Sequence, residues 1–231
     1  MSEVKKKSMD PKAVLRLAIG LVFIIPVVFL CAGRLPYPQG WLYIIVMLGS
    51  LLMTYMSVRS NPELINERLS PGEGVKRWDK IYFALSTPLY LATIAVGSLD
   101  TGRLGLSPEL PVILNALAAA VYIAGQLIFA WARKANNYFS SVVRIQKDRG
   151  HKVCESGPYK HVRHPGYLGG LLFTLATPFI FGSLWAVIPT AIGIALMFIR
   201  TVLEDRTLER ELEGYAEYKR KVKYRMIPYI W

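Results

Sequence analysis

Residues 167–203 form the longest apolar stretch of the chain and read YLGGLLFTLATPFIFGSLWAVIPTAIGIALMFIRTVL. One helix of these 37 residues would be roughly 55 Å long, whereas the hydrocarbon core of a bilayer is only about 30 Å thick. Phe181-Gly182-Ser183 lies in the middle of the stretch, between Pro178 and Pro189, and such residues are typical of a turn. The stretch therefore predicts two short membrane helices joined as a tight hairpin.

Four further apolar blocks precede this hairpin, and each is long enough to predict a membrane helix. They lie at 13–33, 40–58, 80–98 and 109–132. We therefore expect an all-α, polytopic integral membrane protein with about six transmembrane helices. Four of them fall in residues 1–132, and residues 133–231 hold a polar loop, the hairpin and a C-terminal helix outside the membrane.

The positive charges are distributed on one side of this topology. Of the 28 Lys and Arg residues, 26 fall in the N-terminal segment, in 59–80, in 133–163 and from Arg200 onward, and only Arg34 and Arg103 lie in the opposite loops. Cytosolic loops of membrane proteins are enriched in Lys and Arg, so we expect both termini in the cytosol and a location in the cell inner membrane. The first apolar block lacks a small-x-small cleavage site and is interpreted as a helix rather than a signal peptide.

The same distribution favours membrane lipids over nucleic acid as the partner of the basic residues. The formal net charge of +12 follows the predicted cytosolic loops, and no nucleic-acid recognition motif accompanies it. The two cysteines, Cys31 and Cys154, lie far apart in unlike contexts, so neither a disulfide nor a metal site is expected. The sequence also lacks a glycine-rich dinucleotide fingerprint and a phosphate loop.

Polar side chains are concentrated just before the hairpin, in Gly157-Pro158-Tyr159 and in Arg163-His164-Pro165-x-Tyr167. Ionisable groups at the start of a membrane helix are costly and are usually functional. Arg and His at this position can hydrogen-bond an anionic group of a ligand, Arg as a planar fork. The alternative is an ordinary basic flank with a proline at the first helical turn.

A second polar group ends the last apolar helix. Arg200 and Glu204 are four residues apart and share a helix face, and Asp205 follows directly. Carboxylates here can bind ribose hydroxyls, an ammonium group or a sulfonium, although a salt-bridged surface helix has the same sequence pattern. The acidic residues that follow, from Glu209 to Glu217, are predicted to lie on a solvated helix.

Two loops carry weaker signals. Asn136-Asn137-Tyr138-Phe139-Ser140-Ser141, with Gln146 and His151 beyond it, contains polar side chains that either line a pocket or satisfy loop backbone groups. The 59–80 loop has mixed charge and turn residues and is compatible with a short interfacial helix. No chemistry can be assigned to it.

Taken together, residues 133–230 resemble the isoprenylcysteine carboxyl methyltransferase family and, more loosely, the membrane phospholipid methyltransferases. The resemblance rests on the motifs around Tyr159, His164 and Arg200, and Tyr215-x-x-Tyr218 and Ile227-Pro228 also fit it. It implies methyl transfer from S-adenosylmethionine in a cytosol-facing pocket embedded in the membrane. Residues 133–231 would then be the catalytic region.

The resemblance also implies roles for individual residues. Arg200 and Glu204 would lie at the reacting centre, where Arg200 would orient an anionic acceptor. The cofactor would be bound by Gln146, His151, Tyr159, Arg163, His164, Pro165, Tyr167, Glu204 and Asp205. The second acidic position is often Glu in the family and is Asp205 here, one methylene shorter. No metal is implied.

The acceptor is expected to be lipophilic, such as the carboxylate of an isoprenylcysteine-like lipid, because the pocket would open to the membrane. Two alternatives stay open. One is an NADPH-dependent membrane reductase of the sterol-reductase type, since basic residues of 133–163 could bind a 2′-phosphate. The other is a non-catalytic membrane protein. Convergence of His164, Tyr167, Arg200 and Glu204 on one pocket would favour an enzyme.

Overall fold

The computed structural model describes residues 23–59 and 61–231, and within these ranges the regular structure is entirely helical. The α-helices are α1 (Phe23–Ala32), α2 (Pro38–Val58), α3 (Pro62–Leu69), α4 (Arg77–Leu99), α5 (Val112–Ala135), α6 (Pro165–Phe181), α7 (Val187–Glu211) and α8 (Tyr215–Lys221). A π-helical turn, Asp100–Leu104, extends α4, and two 3₁₀ turns lie in the connection between α5 and α6. The predicted all-α fold is confirmed.

Within the described residues, four helices are long and apolar enough to cross a membrane, namely α2, α4 with its π-helical extension, α5 and α7. The helix α6 is apolar but has 17 residues, and the described part of α1 is shorter still. The observed bounds lie within about one turn of the predicted blocks at 40–58, 80–98 and 109–132. The first part of the block predicted at 13–33, and the N-terminal cations before it, lie outside the described residues.

The predicted hairpin between α6 and α7 is present. The helix α6 ends at Phe181, and Gly182 follows with φ of +76°, a left-handed conformation that glycine adopts without strain. The Ser183 hydroxyl accepts a hydrogen bond from the Ala186 N–H at 3.1 Å and donates to Asp100 at the end of α4. A side chain thus fixes the turn to a neighbouring helix.

The helices α5 and α6 pack with their backbones in contact. A Cβ added at Gly169 would lie 2.5 Å from the Gly125 carbonyl oxygen, and one added at Gly125 would lie 2.7 Å from the Gly169 carbonyl oxygen. Small residues allow such close approach, which stabilises helix pairs in membranes through van der Waals contact. The two glycines therefore set the distance between α5 and α6.

The loops group at two ends of the bundle. At one end the connections between α1 and α2, between α4 and α5 and between α6 and α7 contact one another, as in the bond from Arg103 to the Leu30 carbonyl and the bond from Ser183 to Asp100. At the other end lie the α2–α4 loop, the α5–α6 loop and the end of α7. The grouping of most Lys and Arg residues at one end of the described bundle follows from this arrangement.

Candidate functional site

A cavity of about 280 Å³ lies at the basic end of the bundle. Its walls come mainly from the α5–α6 loop, the start of α6, the last turns of α7 and the C-terminal segment around α8, with single residues from α3, α4 and α5. Ligand pockets for small molecules usually measure roughly 300–1,000 Å³. The cavity is therefore near the lower end of the size that holds a cofactor.

Eight of the ten residues predicted for the site line this cavity. They are Gln146, His151, Tyr159, Arg163, His164, Tyr167, Arg200 and Glu204. Pro165 is the first residue of α6 and Asp205 lies behind the wall, and neither lines the cavity. The structure thus brings together the two polar groups that flank the helical hairpin in sequence.

Glu204 is the acidic side chain that faces the cavity. The Tyr167 hydroxyl donates a hydrogen bond to its Oε2 from the facing helix α6. No Lys, Arg or His side chain of the described residues lies within ion-pair distance of Glu204. This carboxylate is therefore available to a cationic group of a ligand.

Asp205, the next residue, is surrounded by donors from the protein itself. Arg163 forms a bidentate pair with it, with Nε–Oδ1 and Nη2–Oδ2 distances of 2.8 and 3.0 Å. The Tyr215 hydroxyl donates to Oδ1 at 2.8 Å, Arg225 Nε donates to Oδ2 at 3.0 Å, and His164 Nε2 lies 3.2 Å from Oδ1. Through these hydrogen bonds, Asp205 of α7 links the start of α6 to the C-terminal segment. Its role in cofactor binding stays a prediction.

Arg200 is held by residues that are distant from it in sequence and that no sequence motif associated with it. Its Nε donates to Asp79 Oδ1 of α4 at 2.8 Å, and its Nη2 donates to the Ser141 carbonyl at 3.0 Å. Its guanidinium carbon also lies 4.6 and 4.7 Å from the ring centroids of Tyr82 and Phe83. Cation–π contacts and a buried carboxylate fix the orientation of this side chain in the cavity wall.

The α5–α6 loop is anchored by a buried ion pair. Arg144 donates to both carboxylate oxygens of Glu67 in α3, at 2.9 and 2.6 Å, and both side chains are almost fully buried. Burial alone would raise the pKa of Glu67, but hydrogen bonds from Arg144 and Ser140 lower it, so this carboxylate stays ionised. The loop over the cavity is thus ordered by the helix α3.

His151 and Gln146 form part of this ordered loop. The Gln146 backbone N–H donates to His151 Nδ1 at 3.3 Å, which requires a neutral ring with its proton on Nε2. Burial, with the nearby charges of Arg149 and Arg144, lowers the pKa of His151 to about 4. The Gln146 side chain donates to the Tyr138 carbonyl at 2.8 Å and accepts from Arg149.

Tyr159 closes the cavity near α8. Asn136 Nδ2 donates to its hydroxyl at 3.4 Å, and the Tyr218 hydroxyl donates to its carbonyl at 2.7 Å. Burial raises the pKa of Tyr159, so its hydroxyl stays protonated. Tyr218 thus links α8 to the motif around Tyr159, whereas Tyr215 contacts Asp205 and His164.

Several residues of the site were missed in the sequence. The partners Asp79, Glu67 and Arg225 are remote in sequence from the residues that they bind, and a lone charge in a basic loop gives no signal of its partner. A weak signal existed for Asp79 alone, since an acidic residue among Lys76, Arg77 and Lys80 departs from the local bias.

A comparison with protein families gives one match for this region. Residues 116–210 match the model of the isoprenylcysteine carboxyl methyltransferase (ICMT) family. We call residues 116–210 the ICMT region. The predicted resemblance is therefore confirmed, and the ICMT region contains all ten residues predicted for the site, together with α6 and nearly all of α7.

Similar proteins carry related names. The chain is 22% identical over 151 residues to protein-S-isoprenylcysteine O-methyltransferase of Schizosaccharomyces pombe, which covers 64% of this chain and 58% of that protein. It is 28% identical over 98 residues to a probable protein-S-isoprenylcysteine O-methyltransferase of Oryza sativa subsp. indica, covering 42% and 51%. The chain therefore spans little more than half the length of these relatives.

A third relative has a different name. The chain is 29% identical over 134 residues to Delta(14)-sterol reductase TM7SF2 of Mus musculus, which covers 53% of this chain and 32% of that protein. The sterol-reductase type, which the sequence left open as an alternative, is thus represented among the similar proteins.

Proposed function

We propose that this chain is an S-adenosylmethionine-dependent membrane methyltransferase that acts on a lipophilic acceptor at the cytosolic membrane face. The observation that carries the proposal is that His164, Tyr167, Arg200 and Glu204 line one cavity, and that the ICMT match includes all four. A chain that merely kept the helical framework would have no reason to direct these polar groups into one pocket.

The side chains of the cavity fit this cofactor. S-adenosylmethionine has an ammonium group, a sulfonium, an adenine ring and ribose hydroxyls. The Glu204 carboxylate suits a cationic group, the buried Tyr159 hydroxyl can hydrogen-bond a polar one, and the rings of Phe129 and Phe139 in the wall can contact adenine. The cofactor, when bound, supplies an electrophilic methyl group.

The remaining residues position and shield the reaction. Arg200, held by Asp79 and the Ser141 carbonyl, presents a fixed positive charge to an anionic acceptor. Tyr167 holds the Glu204 carboxylate from the opposite helix. The loop anchored by Arg144 forms part of the pocket wall. A carboxylate acceptor needs no general base, so orientation and desolvation are the main tasks of the protein.

The acceptor that we propose is the carboxylate of an isoprenylcysteine-like lipid or of another acidic lipid. The names of the relatives in Schizosaccharomyces pombe and Oryza sativa support this substrate class. The apolar helices around the site support an acceptor that enters from the membrane. We place the protein in the cell inner membrane, with the cavity facing the cytosol.

Calorimetric titration of the detergent-purified protein with S-adenosylhomocysteine tests the proposal. We expect saturable binding that is weakened at least about tenfold by Glu204→Gln, because a charge-assisted contact contributes about 1.5–3 kcal/mol. The exposed Glu213 provides the control variant Glu213→Gln, which should bind as the wild type does. Absence of binding, or binding that Glu204→Gln leaves unchanged, would contradict the proposal.

A second candidate function is an NADPH-dependent membrane reductase, and the similarity to Delta(14)-sterol reductase TM7SF2 favours it. The basic side chains of the cavity could bind the 2′-phosphate of that nucleotide. A competition experiment separates the two functions. Under the methyltransferase proposal, NADPH does not displace bound S-adenosylhomocysteine, whereas displacement would favour the reductase.

A further inference from the structure

Arg68 presents an unpaired positive charge to the cavity. It lies in α3, the interfacial helix to which the sequence assigned no chemistry, and it is outside the ICMT region. Its Nη1 donates to the Phe139 carbonyl at 3.2 Å, and no carboxylate of residues 23–59 and 61–231 forms an ion pair with it. The guanidinium therefore has donors left for another acceptor.

Arg200 lines the same cavity and is close enough to Arg68 for their charges to interact. Burial and the positive charge of Arg200 lower the pKa of Arg68 to about 10. Arg200 itself uses Nε and Nη2 on Asp79 and Ser141, which leaves Nη1 without a hydrogen bond in the described part of the chain. Two guanidinium groups with free donors thus border one space.

Arg133 adds a third positive charge behind the wall. It is 1% exposed, and its Nε and Nη1 have no hydrogen-bond partner among the described residues. Its guanidinium carbon lies 4.9 Å from the centroid of the Phe129 ring. That ring meets Phe139 edge-on at 5.2 Å, and Arg68 lies 5.5 Å from the centroid of Phe139. The aromatic pair thus has an arginine over each ring.

Two other arginines of the cavity wall are neutralised by carboxylates. Arg144 is paired with Glu67, and Arg163 is paired with Asp205. A buried charge without a counterion is costly, since desolvation is not repaid by an attractive partner. Among the arginines of the cavity wall, the positive charge without a carboxylate partner is therefore that of Arg68, and an anionic ligand would compensate it.

We propose that Arg68 and Arg200 form an oxyanion subsite that holds a carboxylate or phosphate of the lipophilic acceptor, with Arg133 adding positive potential from behind Phe129. The inference rests on the proposed function and names the acceptor as an acidic amphiphile. In this arrangement Glu204 attracts the cationic methyl donor and the arginines attract the acceptor. The cavity thus has one negative and one positive pole for two ligands of opposite charge.

The test compares three probes of equal chain length, which are dodecanoate, dodecyl phosphate and dodecanol. Their affinities are measured for the full chain in nanodiscs of uncharged lipid. We expect the wild type to bind at least one anionic probe about 10- to 100-fold more tightly than dodecanol, since hydrogen bonds to charged groups contribute about 1.5–3 kcal/mol. The two anionic probes then distinguish a carboxylate subsite from a phosphate subsite.

Variants locate this preference within the chain. Arg68→Met should remove most of the preference for anions, Arg68→Lys should retain part of it, and Arg206→Met, at an exposed position of α7, should leave it unchanged. Arg133→Met should weaken the preference and raise the thermal unfolding midpoint, because it removes a buried charge that lacks a partner. A purely structural arginine would lower that midpoint instead.

The outcomes separate the two proposals. Equal affinity of the wild type for dodecanol and both anions would overturn the subsite, and so would a preference that persists in Arg68→Met. If Arg68→Met fails to fold, the wild-type comparison and Arg68→Lys still decide. S-adenosylhomocysteine affinity of the wild type, measured on the same preparation, reports on the proposed function alone.

Discussion

Two adjacent carboxylates of α7 have opposite environments, which gives them different tasks. Glu204 faces the cavity and is bonded by Tyr167, whereas Asp205 is 1% exposed and accepts hydrogen bonds from two arginines and a tyrosine. Successive residues of a helix point about 100° apart, so one can serve a ligand while the next holds the fold. The pair therefore predicts that binding and stability can be changed separately.

Asp205→Asn should destabilise the protein by about 3–5 kcal/mol, because Arg163 and Arg225 would then surround a neutral amide and lose a buried counterion. Glu204→Gln should change stability by less than about 1 kcal/mol while it weakens cofactor binding. Thermal unfolding in detergent, combined with S-adenosylhomocysteine titration, measures both effects. Equal losses of stability in the two variants would contradict this division.

His151 should make stability depend on pH. Its pKa is lowered to about 4 in the folded chain and returns to about 6.5 on unfolding, so between these values the unfolded chain binds more protons. Stability should therefore fall as pH decreases from about 6.5 to 4. His151→Gln should flatten this fall in thermal unfolding midpoints measured across that range. The exposed His161 gives the control His161→Gln, whose profile should follow the wild type.

At the scale of elements, the helix pair α5 and α6 forms the rigid side of the site. Gly125 and Gly169 bring the two backbones into contact, and the hairpin turn at Gly182 and Ser183 fixes where α7 begins. Tyr167 lies in the first turn of α6 and His164 directly precedes this helix, so both are close to the contact at Gly169. The packing of α5 against α6 thus positions the candidate site at the end of the helical bundle.

Substitution of neighbouring glycines in α6 tests this packing. Gly169→Ala should destabilise the protein by about 1–3 kcal/mol, since its Cβ would lie 2.5 Å from the Gly125 carbonyl oxygen. Gly170→Ala is the matched control, because its Cβ would meet Met197 at an ordinary 3.6 Å. Helix propensity should make that control neutral or slightly stabilising. Thermal unfolding of both variants in the same detergent would show the difference, and equal midpoints would contradict the close contact.

At the scale of the whole molecule, the fold groups the loops at the same two ends of the bundle that the distribution of positive charge predicted. The loop that holds Glu109 lies at the end with few cations, and the loop that holds Lys147 lies at the basic end, over the cavity. Positive charge in loops sets membrane orientation. We therefore expect these two loops on opposite sides of the membrane.

Cysteine labelling tests the orientation in intact cells. After Cys31→Ala and Cys154→Ala, the single variant Glu109→Cys should react with a membrane-impermeant maleimide, whereas Lys147→Cys should react only after permeabilisation. Both positions are exposed in the structure, so accessibility to solvent does not differ between them. The reverse labelling pattern would place the cavity outside the cytosol.

Much of the fold was predictable because each membrane helix appears in the sequence as a long block of apolar residues. Length and polarity located α2, α4, α5 and the hairpin, and the spacing of Arg200 and Glu204 indicated a shared helix face. The partners Asp79 and Glu67 could not be predicted, because a lone charge in a loop carries no information about which distant residue it meets. The division of roles between Glu204 and Asp205 likewise depends on tertiary contacts.

The ion pair between Arg200 and Asp79 has a consequence for how this site can be exchanged between proteins. Arg200 lies inside the ICMT region, whereas Asp79, Glu67 and Arg225 lie outside it. A chimera that receives only residues 116–210 would inherit Arg200 without its carboxylate partner, and Arg144 and Asp205 would each lose one of their partners. A functional transfer of the site would therefore need residues outside 116–210 as well. Substitutions at these paired positions should also occur together in related chains.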